Sequence, residues 1–347
     1  MRKKLLAAML STAMVASMAS VTMVQAEEKD PSEVKVGLVL DVGGVNDGSF
    51  NQTSWEGLQK AVEDFGVQGT YLESNNDADY AANIDTFLDE EYDLIIGVGY
   101  MLADGIRAAA EENPDVKFAI IDDSTNADLD NVTCLMFKQE QCSYLVGTVA
   151  GKMTKANNVG IVLGMATETM HQFGYGYVAG VLDTNPECEI QQMNANSFAN
   201  AEIGKADANA MITNGADIIY QVAGGTGRGV IEACDEADGV YAIGVDTDQA
   251  PLAPETVITS AMKRVDTSVY DSVDRLLKGE LESGIVVYDL ASDGVGIAPT
   301  QDLLPEDVIA AVNEAAEKIK SGEIVVPSSK EEFDEKYGDD AYSLDVE

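Results

Sequence analysis

The sequence predicts an α/β protein of two doubly wound parallel-sheet lobes, joined by a multi-crossing hinge and facing each other across a cleft. Strand and helix patterns alternate along nearly the whole chain. The alternation runs through two similar series, each long enough to complete a lobe. Polar residues stand just after several strands, at the edge where open α/β sheets bind ligands.

The first series reads as strands at 35–40, 69–73, 94–98, 118–122 and 133–137, with helices between them at 80–88 and 103–112. The second reads as strands at 159–164, 189–192, 217–222 and 240–245, with helices at 172–184, 204–214 and 228–236. Right-handed crossovers make each series doubly wound. A strand at 256–262 and a helix at 267–278 are expected to return to the first lobe. A strand at 285–288 and a helix at 305–321 then close the second. The expected division is 33–153 plus 252–282 for the N-terminal lobe and 154–251 plus 283–330 for the C-terminal lobe. An acidic tail follows at 331–347. From Ser328 onward eight acids face two lysines, a composition read as a solvated or loosely docked end.

The start of the chain reads as a secretory signal peptide over 1–26. Arg2, Lys3 and Lys4 precede an apolar run that ends in Val24-Gln25-Ala26, a small-x-small cleavage pattern. Cleavage there leaves 18 basic residues against 61 acidic ones. Such an excess argues against nucleic-acid polymers and anionic lipid surfaces, both of which need a basic footprint. No later apolar run is long enough to span a bilayer. Export, with residence at the cell surface or in the periplasm, is therefore expected.

Four cysteines (Cys134, Cys142, Cys188, Cys234) show no CxxC pair and read as buried free thiols. With His171 as the sole histidine, a zinc site or a His-based triad lacks raw material. No metal, cofactor or catalytic group is expected.

The most informative stretch follows the first strand. Val36, Leu38, Val39 and Leu40 give way to Asp41, a Gly43-Gly44 turn, and a helix beginning near Ser49. Asp41 thus sits at a strand's carboxyl end. Asn46, Asn51 and Phe50 share its loop, a set suited to a small polar molecule with a flat face. Asp122 and Asp246 stand at the ends of later strands. A lone Asp in such a place is commonly a helix cap; three at equivalent places in two lobes point to a site. The glycine-rich AGGTGRG at 223–229 lacks a Gly-Lys-Ser/Thr ending and is read as a turn into a helix.

The loop DVGGVNDGSFN at 41–51 resembles the signature of the basic membrane protein family, the purine-nucleoside-receptor-like substrate-binding proteins of bacterial ABC transporters. Similar motifs run on through FAIIDD (118–123), QCSYLVGTVAG (141–151), VGIVLG (159–164), FGYGYVAG (173–180), VAGGTGRGV (222–230), IGVDTDQ (243–249) and TSAMK (259–263). The resemblance implies a type I periplasmic-binding-protein fold and a base held between two rings, one matching Phe50 and one matching Phe198 of NSFAN (196–200). It also implies that Asp246 and Lys263 face the ribose while Asp41 and Asp122 face the base. Asn51 and Gly224 or Gly225 add amide and backbone contacts. Two departures stand out. Asn200 replaces the Asp usual two residues after the ring. No lipobox cysteine precedes Cys134, so release, or retention through the permease, is the expectation in place of the lipid anchor common in the family.

The expected function is capture of a purine nucleoside (guanosine, inosine or adenosine) by a monomeric, non-catalytic receptor for ABC import. A sugar or other small-metabolite receptor, and a sensor presenting ligand to a signalling partner, are the alternatives. The stacking rings separate nucleosides from sugars. Three carboxylates against one lysine disfavour nucleotides.

Overall fold

The computed structural model of the protein describes residues 29–344. The signal-peptide segment at 1–26 and the last three residues of the acidic tail lie outside the described residues. The first sheet holds β1 (Lys35–Leu40), β2 (Gln68–Leu72), β3 (Leu94–Val98), β4 (Lys117–Ile121), β5 (Val132–Phe137) and β11 (Gly284–Tyr288), in the order β11-β5-β4-β3-β1-β2. The second holds β6 (Asn158–Leu163), β7 (Glu189–Asn194), β8 (Ile218–Val222), β9 (Tyr241–Asp246), β10 (Val257–Lys263) and β12 (Val295–Ile297), in the order β12-β10-β9-β8-β6-β7. Among the described strands every pairing is parallel except β10 with β12. The two orders superimpose, so each lobe repeats the other.

The first lobe carries α1 (Phe50–Phe65), α2 (Ala78–Asp89) and α3 (Ala103–Glu112). The second carries α5 (Glu168–Thr184), α6 (Ala201–Thr213) and α7 (Gly224–Asp235). Buried runs such as LIIGV in β3 and NVGIVL in β6 are apolar on both faces, as strands covered by helices on both sides must be.

The return segments differ from the expectation. The strand after β9 stays in the second sheet: β10 pairs with β9 through a short connection, with Val257 opposite Ala242. The chain then crosses; α8 (Val265–Leu277) packs on α1, and β11 adds to the first sheet beside β5. A second return brings β12 antiparallel to β10. Thus 252–263 sides with the second sheet and 284–288 with the first, the reverse of the sequence-based assignment. Periodicity identifies strands; it does not say which neighbour a strand will pair with.

α4 (Gln139–Met153) also departs from the assignment of 33–153 to the first lobe. It packs on α5 and on α9 (Glu306–Lys320) and touches β10 and β12. The glycines of both helix motifs let the backbones meet. A Cβ on Gly176 would lie 2.1 Å from the Glu140 carbonyl oxygen, and one on Gly180 would lie 2.2 Å from that of Tyr144. Three crossings therefore fall near Lys138, Arg264 and 289–294. They are stitched by Lys138 N–H to the Tyr288 carbonyl at 2.9 Å and Arg264 N–H to the Gly294 carbonyl at 2.9 Å.

The described part of the acidic tail, 331–344, is firmly docked, contrary to its composition. Phe333 of α10 (Lys330–Tyr337) is fully buried, and Tyr342 is 2% exposed. Tyr342 OH lies 2.8 Å from His171 Nδ1, and the rings of Phe333 and Tyr342 sit 5.4 and 4.8 Å from Tyr175. Apolar rings spaced between acids bury one side of the segment while its carboxylates stay in water. The four cysteines are buried and free. Among the described residues no helix is long and apolar enough to cross a membrane. Phe333→Ala should destabilise the protein by about 3–5 kcal/mol, a core aromatic truncation, whereas Glu335→Ala in the same helix should stay within about 0.5 kcal/mol. Urea unfolding of both variants checks this, and equal midpoints would mean that the tail is only loosely held.

Candidate functional site

The carboxyl ends of both sheets face one pocket between the lobes. Of the residues singled out in the sequence, Asp41, Phe50, Asn51, Asp122, Phe198, Gly224, Asp246 and Lys263 line it. Asn46 does not. Its side chain is exposed, and its carbonyl accepts from Arg228 Nη1 at 3.2 Å. Gly225 also stands outside the lining, with its backbone turned against the Phe198 carbonyl.

The first loop is organised by Asp47, which the sequence reading passed over. Its carboxylate accepts from the backbone N–H groups of Ser49 (2.9 Å), Asn51 (2.9 Å) and Gln52 (3.1 Å), so it caps α1 in place of Ser49. An Asp ahead of Ser-Phe-Asn is the available sequence signal, since short acidic side chains reach N–H groups two to five residues on. Asn51 donates through Nδ2 to Asp41 at 2.7 Å and to Asp47 at 3.1 Å. That choice leaves its Oδ1 buried and without a hydrogen-bond partner in the protein.

Asp41 accepts from Gly43 N–H at 2.8 Å as well as from Asn51. Burial pushes its carboxyl up to about 6, against the opposing pull of those two donors. Asp246 is likewise raised to about 6 by burial, with Lys263 and the Ser49 hydroxyl opposing. Asp122 and Asp246 occupy equivalent places, at the ends of β4 and β9, and both have φ of +66°. Left-handed backbone at a non-glycine residue is uncommon, and its recurrence at both lobe equivalents turns two carboxylates out of the strand direction into the cleft.

Lys263 ends β10, so it belongs to the second sheet and not to the first lobe, where the sequence reading placed it. It still bridges the cleft. Its ammonium pairs with Asp122 Oδ2 at 2.5 Å and lies 5.0 to 5.4 Å from the ring centres of Phe50, Phe137 and Phe173. Asp122 Oδ1 is buried with no partner in the protein. The Ser49 hydroxyl donates to Asp246 Oδ2, again from one lobe to the other.

Phe50 and Phe198 are both half-buried and come from opposite lobes. Phe198 lies against Gly164, where a Cβ would come within 2.2 Å of the ring, so that glycine makes the ring's seat. Asn200 caps α6, accepting from Glu202 and Ile203 N–H at 3.1 and 3.3 Å. The Asn in place of Asp therefore preserves the cap. Met170 and Phe173, on the first turns of α5, complete an apolar wall that the sequence reading did not assign to the site. The Tyr100 hydroxyl reaches Met165 Sδ of the other lobe at 3.6 Å.

Folding raises the carboxyls of Asp41 and Asp246 from 3.8 to about 6. Between those values the native state binds more protons than the unfolded chain. Their contribution to stability is complete below the lower value and lost as pH rises through the upper one, up to about 3 kcal/mol per carboxyl. Asp41→Asn should remove one such contribution. The test is the urea midpoint of both proteins at pH 4.5 and 7, and an equal pH dependence in the two would show that Asp41 titrates normally.

Residues 34–330 match the Bmp family, described as ABC transporter substrate-binding protein PnrA-like. The chain is 40% identical over 322 residues to the CD4+ T-cell-stimulating antigen of Listeria innocua, covering 87% of this chain and 90% of that one. It is 37% identical over 321 residues to the ABC transporter nucleoside-binding protein BmpA of Lactococcus lactis subsp. cremoris, covering 86% and 91%. Among solved structures, an ABC transporter solute-binding protein from Aeropyrum pernix superimposes with a TM-score of 0.79 at 27% identity, covering 89% of this chain and 99% of the other. The two-lobe sheets, the cleft between their carboxyl edges and these matches agree: the chain belongs to the Bmp family of PnrA-like ABC transporter substrate-binding proteins, which bind and do not catalyse.

Proposed function

We propose that the protein captures a purine nucleoside in the inter-lobe pocket and delivers it, outside the cytoplasm, to the permease of an ABC importer. The observation that carries this reading is the pair of half-buried rings, Phe50 and Phe198, contributed by opposite lobes to one pocket. A flat base between two rings gains on the order of 1–3 kcal/mol per contact, whichever purine it is. Polar recognition falls to acceptors: Asp41, Asp246, Asn51 Oδ1 and Asp122 Oδ1 suit ring N–H, exocyclic amino and ribose hydroxyl donors. The nucleoside-binding relative from Lactococcus supports the same ligand class.

Charge narrows the choice further. Among the described residues Lys263 is the one cation of the pocket lining, and Asp122 already occupies it. A phosphate entering there would meet carboxylates without a free counter-charge, so a nucleotide should bind far more weakly than its nucleoside. Asp246, at the second-lobe end beside Lys263, is assigned the ribose; Asp41, beside Asn51, is assigned the base. The amino-terminal segment 1–26 serves export in this reading.

In a thermal-shift series, inosine, guanosine or adenosine at micromolar concentration should raise the melting temperature, because binding to the native state alone stabilises it. Ribose and guanosine monophosphate should not. Phe50→Ala should weaken the nucleoside by about 1–3 kcal/mol in titration calorimetry. A ribose shift as large as the nucleoside shift would replace this reading with a sugar receptor.

A further inference from the structure

Two contacts join the lobes across the cleft without belonging to the pocket lining. Gln249 Nε2 donates to the Gly48 carbonyl at 2.9 Å, and Arg228 Nη1 donates to the Asn46 carbonyl at 3.2 Å. Both bonds run from the second lobe to the short segment that precedes α1.

Gln249 is held for this purpose by its own lobe. It is 1% exposed, and its Oε1 accepts from Gln221 Nε2 at 2.6 Å and from Val245 N–H at 3.0 Å. Gln221 is fully buried and in turn accepts from Ala223 N–H at 3.1 Å. The backbone N–H of Gln249 is taken by Ser260 Oγ at 3.0 Å. With the oxygen filled twice, the carboxamide has one orientation, and its amino group can only point across the cleft. The backbone is cut away to admit this chain of amides. A Cβ on Gly227 would lie 1.6 Å from Gln221 Oε1, and one on Gly244 would lie 2.6 Å from Gln249 Oε1. Two buried glutamines and two clearing glycines are thus committed to a single outward hydrogen bond.

We propose that Gln249, aimed by Gln221 and assisted by Arg228, is a latch that favours the closed cleft and so sets how tightly and how long a ligand is held, without touching it. The inference rests on closure of the two lobes around a ligand and not on which ligand that is. A bond made only in the closed form shifts the equilibrium by its full net worth, since the open form exchanges it for water. The apparent affinity for every ligand then changes by one common factor.

The test uses the full mature chain carrying one dye on each lobe, read by single-molecule energy transfer without ligand, together with stopped-flow release of inosine. Gln249→Ala and Arg228→Ala should each lower the closed-to-open ratio about two- to tenfold, the range of one hydrogen bond. Inosine and guanosine should both dissociate faster by that same factor. An unchanged closed fraction in both variants overturns the latch. So does a release rate that rises for one nucleoside only, which would make Gln249 a ligand contact. If inosine does not bind the parent protein, the nucleoside reading fails while the energy-transfer arm still decides the latch. Should Gln249→Ala not fold, Arg228→Ala, at an exposed position, decides alone.

Discussion

Lys263 and Asp122, whose side chains are 2% and 8% exposed, form an ion pair with one partner at the end of a strand in each sheet, and the geometry of the cleft depends on it. Burying two charges costs several kcal/mol per ion, and their attraction offsets that only when the geometry is good and the remaining valences are met. Here the ammonium is also surrounded by the rings of Phe50, Phe137 and Phe173. Asp122 in turn adopts a left-handed backbone to present its carboxylate. The pair therefore fixes how the ends of β4 and β10 face each other, and it ties the pocket wall to Phe137, which stacks on Tyr288 at the crossing.

The same pair contributes less to holding the lobes together than its short contact suggests. Separating the sheets would return both ions to water, and the hydration regained would nearly cancel the attraction lost. Ser49 with Asp246, and Gln249 with Gly48, also exchange water for protein partners, each at a modest net gain of about 0.5–1.5 kcal/mol. A receptor that must both seize and release its cargo needs such compensation. A ligand touching both lobes adds its own contacts to these and shifts the pair of lobes toward closure by that difference.

Much of this was legible in the sequence because it is local. The alternation of strand and helix, the carboxylates that follow β1, β4 and β9, and the aromatic Phe50 at a helix start all follow from short-range periodicity and turn chemistry. The motif resemblance added Phe198 and Lys263. Asp47 was missed because its role is a set of backbone hydrogen bonds, and Met170 and Phe173 were missed because an apolar residue on a helix looks the same whether it faces a core or a cleft. The tail was misread for a related reason: charge counts dominate its composition, while Phe333 and Tyr342 supply its docking.

The class of fold, the two repeated lobes, the sheet edges that face the pocket and the polar residues gathered there could be read from the chain alone, since each is encoded within a strand, a turn and the following helix. Tertiary structure decided the rest. That β10 joins the second sheet while β11 joins the first depends on long-range pairing, in which an edge strand accepts whichever neighbour the crossings bring to it. That Asp122 meets Lys263, and that Gln249 reaches Gly48, depends on the approach of two lobes whose residues are 141 and 201 positions apart in the chain. No local pattern carries such distances, because they are set by the packing of whole sheets.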